Sequence, residues 1–220
     1  VRHTFAVLSV VAMSTLLPAH SVQAQMASAS PFGIVGGVSV STLKGKDVLK
    51  GTESRVGMVA GVSYSASLLP HVELEIDALY TDRGFRIPRG VGGVTNDYAV
   101  DIGYLDVPVL LKIGTNDTRK IDASFIGGVG LNIKFRCAIE YKFAVPGSHQ
   151  CEGLADASQA KIERFDVPLI YGVGIRFPVS AWQLSFEARA HHGTRKVEKY
   201  IDGKNRTVTL SLGVRRARAH

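Results

Sequence analysis

Long apolar runs are scarce in this chain. The run from Phe5 to Leu17 falls short of the roughly 20 residues a transmembrane helix needs, and no other stretch reaches that length. Stripes of helical period are scarce too, which turns the reading away from helix bundles. There are only two cysteines, Cys137 and Cys151, and no histidine or third cysteine stands at ligand spacing, so no metal site is expected. Basic residues give a formal charge of +7. They are dispersed among connections and one tail, not gathered on one face with aromatics, so no nucleic-acid partner is expected. Glycine clusters such as Gly127-Gly128-Val129-Gly130 lack a following helix and a phosphate-loop lysine, so no nucleotide cofactor is expected either.

What is present begins with a targeting segment. Arg2 and His3 precede the apolar run, Pro18 breaks it, and Val22-Gln23-Ala24 offers small residues at −3 and −1 of a signal peptidase site. Cleavage after Ala24 is expected. The remainder divides into a short lead over 25–31, a barrel domain over 32–215 and a basic tail over 216–220. An exported chain meets an oxidising compartment, so a Cys137–Cys151 disulfide is expected.

Alternation of period two then recurs eight times, the signature of strands with two different faces. In His71–Phe85, Val72, Leu74, Ile76, Ala78 and Tyr80 oppose Glu73, Glu75, Asp77, Thr81 and Arg83. In the stretch from Tyr104 to Lys112, Leu105, Val107, Val109 and Leu111 oppose Tyr104, Asp106, Pro108, Leu110 and Lys112. The other segments are Phe32–Thr42, Arg55–Ser67, Ile121–Phe135, Phe165–Phe177, Ala181–His192 and Thr207–Arg215. Charge on one face and aliphatics on the other fit a barrel wall with lipid outside and a polar interior. Each segment is about the 9–11 residues a tilted membrane strand needs. An even count suits closure, which lipid demands because it cannot pair a strand edge. Connections alternate long and short. The long ones are Leu43–Ser54, Arg86–Asp101, Arg136–Arg164 and Gly193–Arg206, and they are assigned to the exterior. Aromatics then form two interface bands: Phe32, Tyr64, Phe177 and Trp182 at the periplasmic rim, and Tyr80, Phe135 and Phe165 at the external rim. Prolines 108 and 168, each within an Asp-Val-Pro sequence, are expected to sit at bulges of similar height.

The inward face carries the chemistry. Glu73, Glu75, Asp77, Asp106, Asp166 and Glu187 face Arg83, Lys112, Lys134, Arg176, Arg189 and Arg215, an expected ion-pair network filling a lumen too narrow for much else. No catalytic residue is assigned. Ser185 and His191 share a face but lie six residues apart on one strand, roughly 20 Å, so they cannot hydrogen-bond. The external connections remain as contact surface. Gly193–Arg206 carries five cations against two acids and suits anionic head groups or an acidic partner.

Several motifs also resemble a known family, the porin-like outer-membrane β-barrel domain of the PorT-like type. They are Gly33 with Gly36-Gly37, Glu75 to Tyr80-Thr81 followed by Gly84-Phe85, Tyr104 to Lys112, Gly127-Gly128-Val129-Gly130, and Gly172-Val173-Gly174. The resemblance covers nearly all of 32–215, and Tyr104 to Lys112 is its most specific part. It implies an outer-membrane barrel, with an envelope or secretion-machinery protein as a partner class. One departure stands out: barrels of this kind commonly end in an aromatic, and here the last residues are Val214-Arg215-Arg216-Ala217-Arg218-Ala219-His220.

The expectation is an all-β, closed, antiparallel, eight-stranded transmembrane barrel of up-and-down topology in the outer membrane. Its expected role is structural or interaction-based. A narrow channel and a soluble lipocalin-like carrier are the alternatives. Nothing in the sequence sets an oligomeric state.

Overall fold

In the computed structural model, the described residues are 30–46, 48–90, 97–114, 121–141, 147–150, 164–196 and 203–217. The expected signal peptide lies outside them, as do residues 91–96, 197–202 and most of the Arg136–Arg164 connection. The described residues form ten strands: β1 (Phe32–Gly45), β2 (Glu53–Leu69), β3 (Val72–Ile87), β4 (Tyr98–Gly114), β5 (Asp122–Tyr141), β6 (Gly147–Gln150), β7 (Phe165–Asp166), β8 (Leu169–Val179), β9 (Trp182–Lys196) and β10 (Gly203–Arg216). Eight of them pair in the ring β4-β3-β2-β1-β10-β9-β8-β5, which the β4–β5 ladder closes. All pairings are antiparallel. Short β6 and β7 both pair with β5, and β7 continues the line of β8.

The ladder register gives the barrel its geometry. From Ile133, successive partners run Leu105, Tyr80, Ala60, Gly36, Leu212, Phe186, Ile175 and back to β5 at Ala123. The stagger is therefore 133 − 123 = 10 residues. Ten residues at ~3.3 Å against eight strands at ~4.8 Å imply a tilt of about 40°.

The two faces separate as alternation dictates. Phe32, Ile34, Met58, Phe125, Leu169 and Leu212 are among the exposed apolar residues outside. Inside are Glu73, Glu75, Asp77, Lys112, Glu187 and Arg189, all buried. This is the reverse of a soluble fold, and it follows from lipid being the outer solvent.

Several boundaries differ from the sequence reading. Strands at the long-connection end run past the expected limits: β5 reaches Tyr141 and β9 reaches Lys196. Backbone pairing needs no lipid, so the ladders continue beyond the apolar band. The prolines also behave differently. Pairing lapses beside each, but the register is unchanged across both. A missing N–H removes a ladder bond without inserting a residue. The two are indeed level, because Pro108 pairs with Gly130 and the Gly130 amide donates to Pro168 O at 3.0 Å. A Cβ on Gly130 would sit 3.3 Å from Pro168 Cγ and 3.1 Å from Ile170 Cδ1.

At its outer end β3 leans across the interior face of β2. Their register shifts between Ser54 and Val59. There Ser39 Oγ, on β1, donates to Asp82 O at 2.5 Å, and Ser41 Oγ accepts from Gly84 N at 2.8 Å. Gly57 permits the crossing, since a Cβ there would overlap Asp82 O. Val100, Ile102 and Tyr104 of β4 are buried at this mouth, with Phe85 and Ile139 packed against them.

Candidate functional site

The lumen collects the charged residues in three tiers. Nearest the short turns, Arg176 reaches Glu73 at 2.7 Å and Asp122 at 2.9 Å. Arg215 adds a 3.3 Å contact to Glu73 and donates through Nε to Gln183 Oε1 at 2.5 Å. Asp122 and Gln183 are absent from the sequence-based set. Their inward parity at the starts of β5 and β9 was the available signal.

The middle tier is a closed cycle. Arg189 contacts Asp77 at 2.6 Å, Glu75 at 2.7 Å and Glu187 at 2.6 Å. Lys112 Nζ contacts Glu75 and Glu187 at 2.5 Å each. Both cations thus share both glutamates. Ser65 Oγ donates to Glu75 Oε2 at 3.1 Å. All five ionised groups are nearly excluded from solvent, so each depends on the others for its solvation.

In the outer tier Arg83 pairs with Asp106. With its amide turned to suit both neighbours, Asn132 donates to Asp106 Oδ1 at 3.0 Å and accepts from Arg83 Nη1 at 2.6 Å. The Arg83 guanidinium also lies 5.3 Å from the Tyr104 ring centroid, within cation–π range. Beyond it, Arg55 pairs with Asp101 at 2.9 Å.

Two residues of the expected network have other surroundings. The Asp166 carboxylate accepts the backbone N–H groups of Thr194 (3.1 Å) and Arg195 (3.0 Å). It caps an irregularity where β9 inserts residues 193–195 opposite Asn205 of β10. Lys134 is half-buried further out, where its backbone amide donates to Arg164 O at 2.8 Å.

Apolar wedges complete the filling. Leu110, Ile126 and Ile170 pack together inside β4, β5 and β8, and Val35, Val59 and Leu79 inside β1–β3. Among the tiers nearest the short turns, a cavity of about 20 Å³ lies between Glu73, Glu75, Lys112, Arg176 and Glu187. That is space for about one water.

The outer wall carries the aromatics. Phe32 and Tyr64 pack edge to face at 5.3 Å near the short turns. Trp182 is exposed on the same side, and half-buried Phe177 is one step inward on β8. Toward the other rim Tyr80 lies 5.7 Å from Phe135, and Phe165 is exposed. His191 and His192 point to opposite faces: His191 is buried with Nε2 3.3 Å from Thr209 Oγ1, and His192 stacks on Tyr171. Cys137 lies within β5, and Cys151 is outside the described residues.

Among solved structures, the Neisserial surface protein A is 14% identical, with a TM-score of 0.48, covering 86% of this chain and 99% of that one. Ail, the attachment invasion locus protein of Yersinia pestis, solved with the heparin analogue sucrose octasulfate, is 17% identical with a TM-score of 0.42, covering 84% and 97%. The outer membrane enzyme PagL is 15% identical with a TM-score of 0.41, covering 80% and 97%. No curated protein matches. The family model described as "Outer membrane protein beta-barrel domain" matches residues 23–197. The chain belongs to the outer membrane protein beta-barrel domain family.

Proposed function

We propose that this protein is a plugged barrel that anchors its long connections at the outer-membrane surface, where they serve as a contact surface for another envelope component. The observation that carries this reading is the Arg189–Lys112–Glu75–Glu187 cycle, which fills the lumen with mutually dependent charges. A conducting pore would need continuous water past these groups, and the space beside them holds about one molecule. A soluble carrier would need an apolar cavity inside and polar residues outside, the inverse of what alternation produces here. The role is non-enzymatic on this reading. An envelope or secretion-machinery protein is the proposed partner class, and Tyr104 to Lys112 supports the finer PorT-like assignment.

The proposal extends to the ends and to the longest connection. The mature chain begins at Gln25, after removal of a signal peptide ending at Ala24. A Cys137–Cys151 disulfide is proposed to staple this connection, with Cys137 held in β5. Planar-bilayer recording of the purified barrel tests the plug: a flat baseline is expected, and steady conductance steps would overturn it.

A further inference from the structure

Most lumen cations are tied to carboxylates, but a group on the outer wall has no such partner among the described residues. On β1 and β10, Lys44 pairs in register with Lys204, and Lys204 pairs onward with Lys196 of β9. The adjacent outward row is Thr42, Arg206 and His192. Lys44, Lys204 and Arg206 are exposed, and none has a carboxylate partner among the described residues. Like charges facing each other across a ladder are destabilising. An exposed row of this kind is complementary to an anion.

Directly below lies an apolar groove of about 440 Å³, lined by Tyr171, Val173, Ala188, Ala190 and Val208 among others. Ala190 and Val208 pair with each other and stand two residues inward from His192 and Arg206 on the same face. The small alanine side chains leave the hollow. Tyr171 and His192 close its upper flank, their rings stacked at 5.7 Å with Tyr171 Oη 3.4 Å from His192 Nδ1. An amphipathic aromatic pair belongs at the boundary between acyl chains and head groups.

We propose that this wall binds a phosphate-bearing membrane lipid. Its head group sits against Arg206, Lys204 and Lys44, and one acyl chain occupies the groove over Ala188 and Ala190. A guanidinium fork suits phosphate oxygens, and the lysines add point charges. A lipid fits better than an acidic protein because the cations continue without a break into the lipid-facing groove.

Native mass spectrometry of the full barrel in neutral detergent tests this, with dimyristoyl phosphatidic acid, dimyristoyl phosphatidylcholine and inorganic phosphate as probes. Retained heat-modifiability confirms folding of each variant. One-to-one binding of phosphatidic acid is expected, in preference to phosphatidylcholine. The variant K44Q/K204Q/R206Q should bind it roughly 100-fold more weakly, at about fivefold per cation. A190F, which fills the groove, should weaken phosphatidic acid while leaving inorganic phosphate unaffected. Equal binding of the two lipids by the unaltered protein would overturn the proposal without recourse to any variant. Unchanged affinity in the triple variant would also overturn it. Inorganic phosphate competing as well as the lipid, with A190F silent, would mark a soluble anion site and sink the lipid assignment.

Discussion

Arg189→Ala is the sharpest probe of the lumen. The guanidinium donates four hydrogen bonds, to Asp77, to Glu75 and twice to Glu187. The middle tier holds three carboxylates and two cations, a formal 2 − 3 = −1. Removing Arg189 takes it to −2, with Lys112 alone to offset Glu75 and Glu187. Stranding buried charges in this way costs about 3–5 kcal/mol. At a urea slope of about 2 kcal/mol/M, the unfolding midpoint should fall by about 2 M. Trp182 is the single tryptophan and is exposed on the outer wall, so its fluorescence follows transfer from detergent to water. The double variant Arg189→Met with Asp77→Leu restores the formal −1 and should recover at least half of the loss. A single variant within about 0.3 M of the parent would refute the argument, as would a double variant no better than the single one.

Three further outcomes are expected. Gly130→Val forces a side chain between Pro168 and Ile170 and should cost about 1–3 kcal/mol, seen as a lower temperature for loss of the compact gel band. Asp166→Ala frees the amides of Thr194 and Arg195, costs about 1 kcal/mol, and should speed hydrogen exchange at those two amides while leaving Arg189 neighbours protected. Ser180 holds a left-handed φ of 53° in the β8–β9 turn, so Ser180→Gly should raise stability by up to about 1 kcal/mol in the same urea assay.

Much of the wall was legible because parity is a local property. Once Glu73, Glu75 and Asp77 alternate with Leu74 and Ile76, the faces of β3 are decided. The partners of each charge were not legible, because they depend on stagger around the whole ring. Arg189 meets Asp77 across 112 residues, and Arg176 meets Glu73 across 103. Asp166 shows the limit from the other side. It has inward parity, yet its carboxylate is held by the backbone amides of Thr194 and Arg195 on a neighbouring strand. The inward lean of β3 rests on two serines reaching a strand that is not their neighbour, and no period in the sequence encodes that. Strand ends were underestimated because the alternation fades where lipid ends, while the hydrogen-bond ladder does not.

The ladder between β1 and β10 has a consequence for assembly. Every other seam joins strands consecutive among the eight of the ring, with only the short β6 and β7 intervening between β5 and β8, whereas Gly33 meets Arg215 across 182 residues. Relative to a four-residue hairpin, closing so long a loop costs roughly 3 kcal/mol more in chain entropy. The hairpins should therefore zip first, leaving a curled ribbon with two open margins. In hydrocarbon each unpaired margin is prohibitive, so the ribbon should not complete insertion until its first and last strands meet. A lesion confined to the β1–β10 seam should then slow membrane entry more than it weakens the finished barrel, a separation that would mark this ladder as the latch.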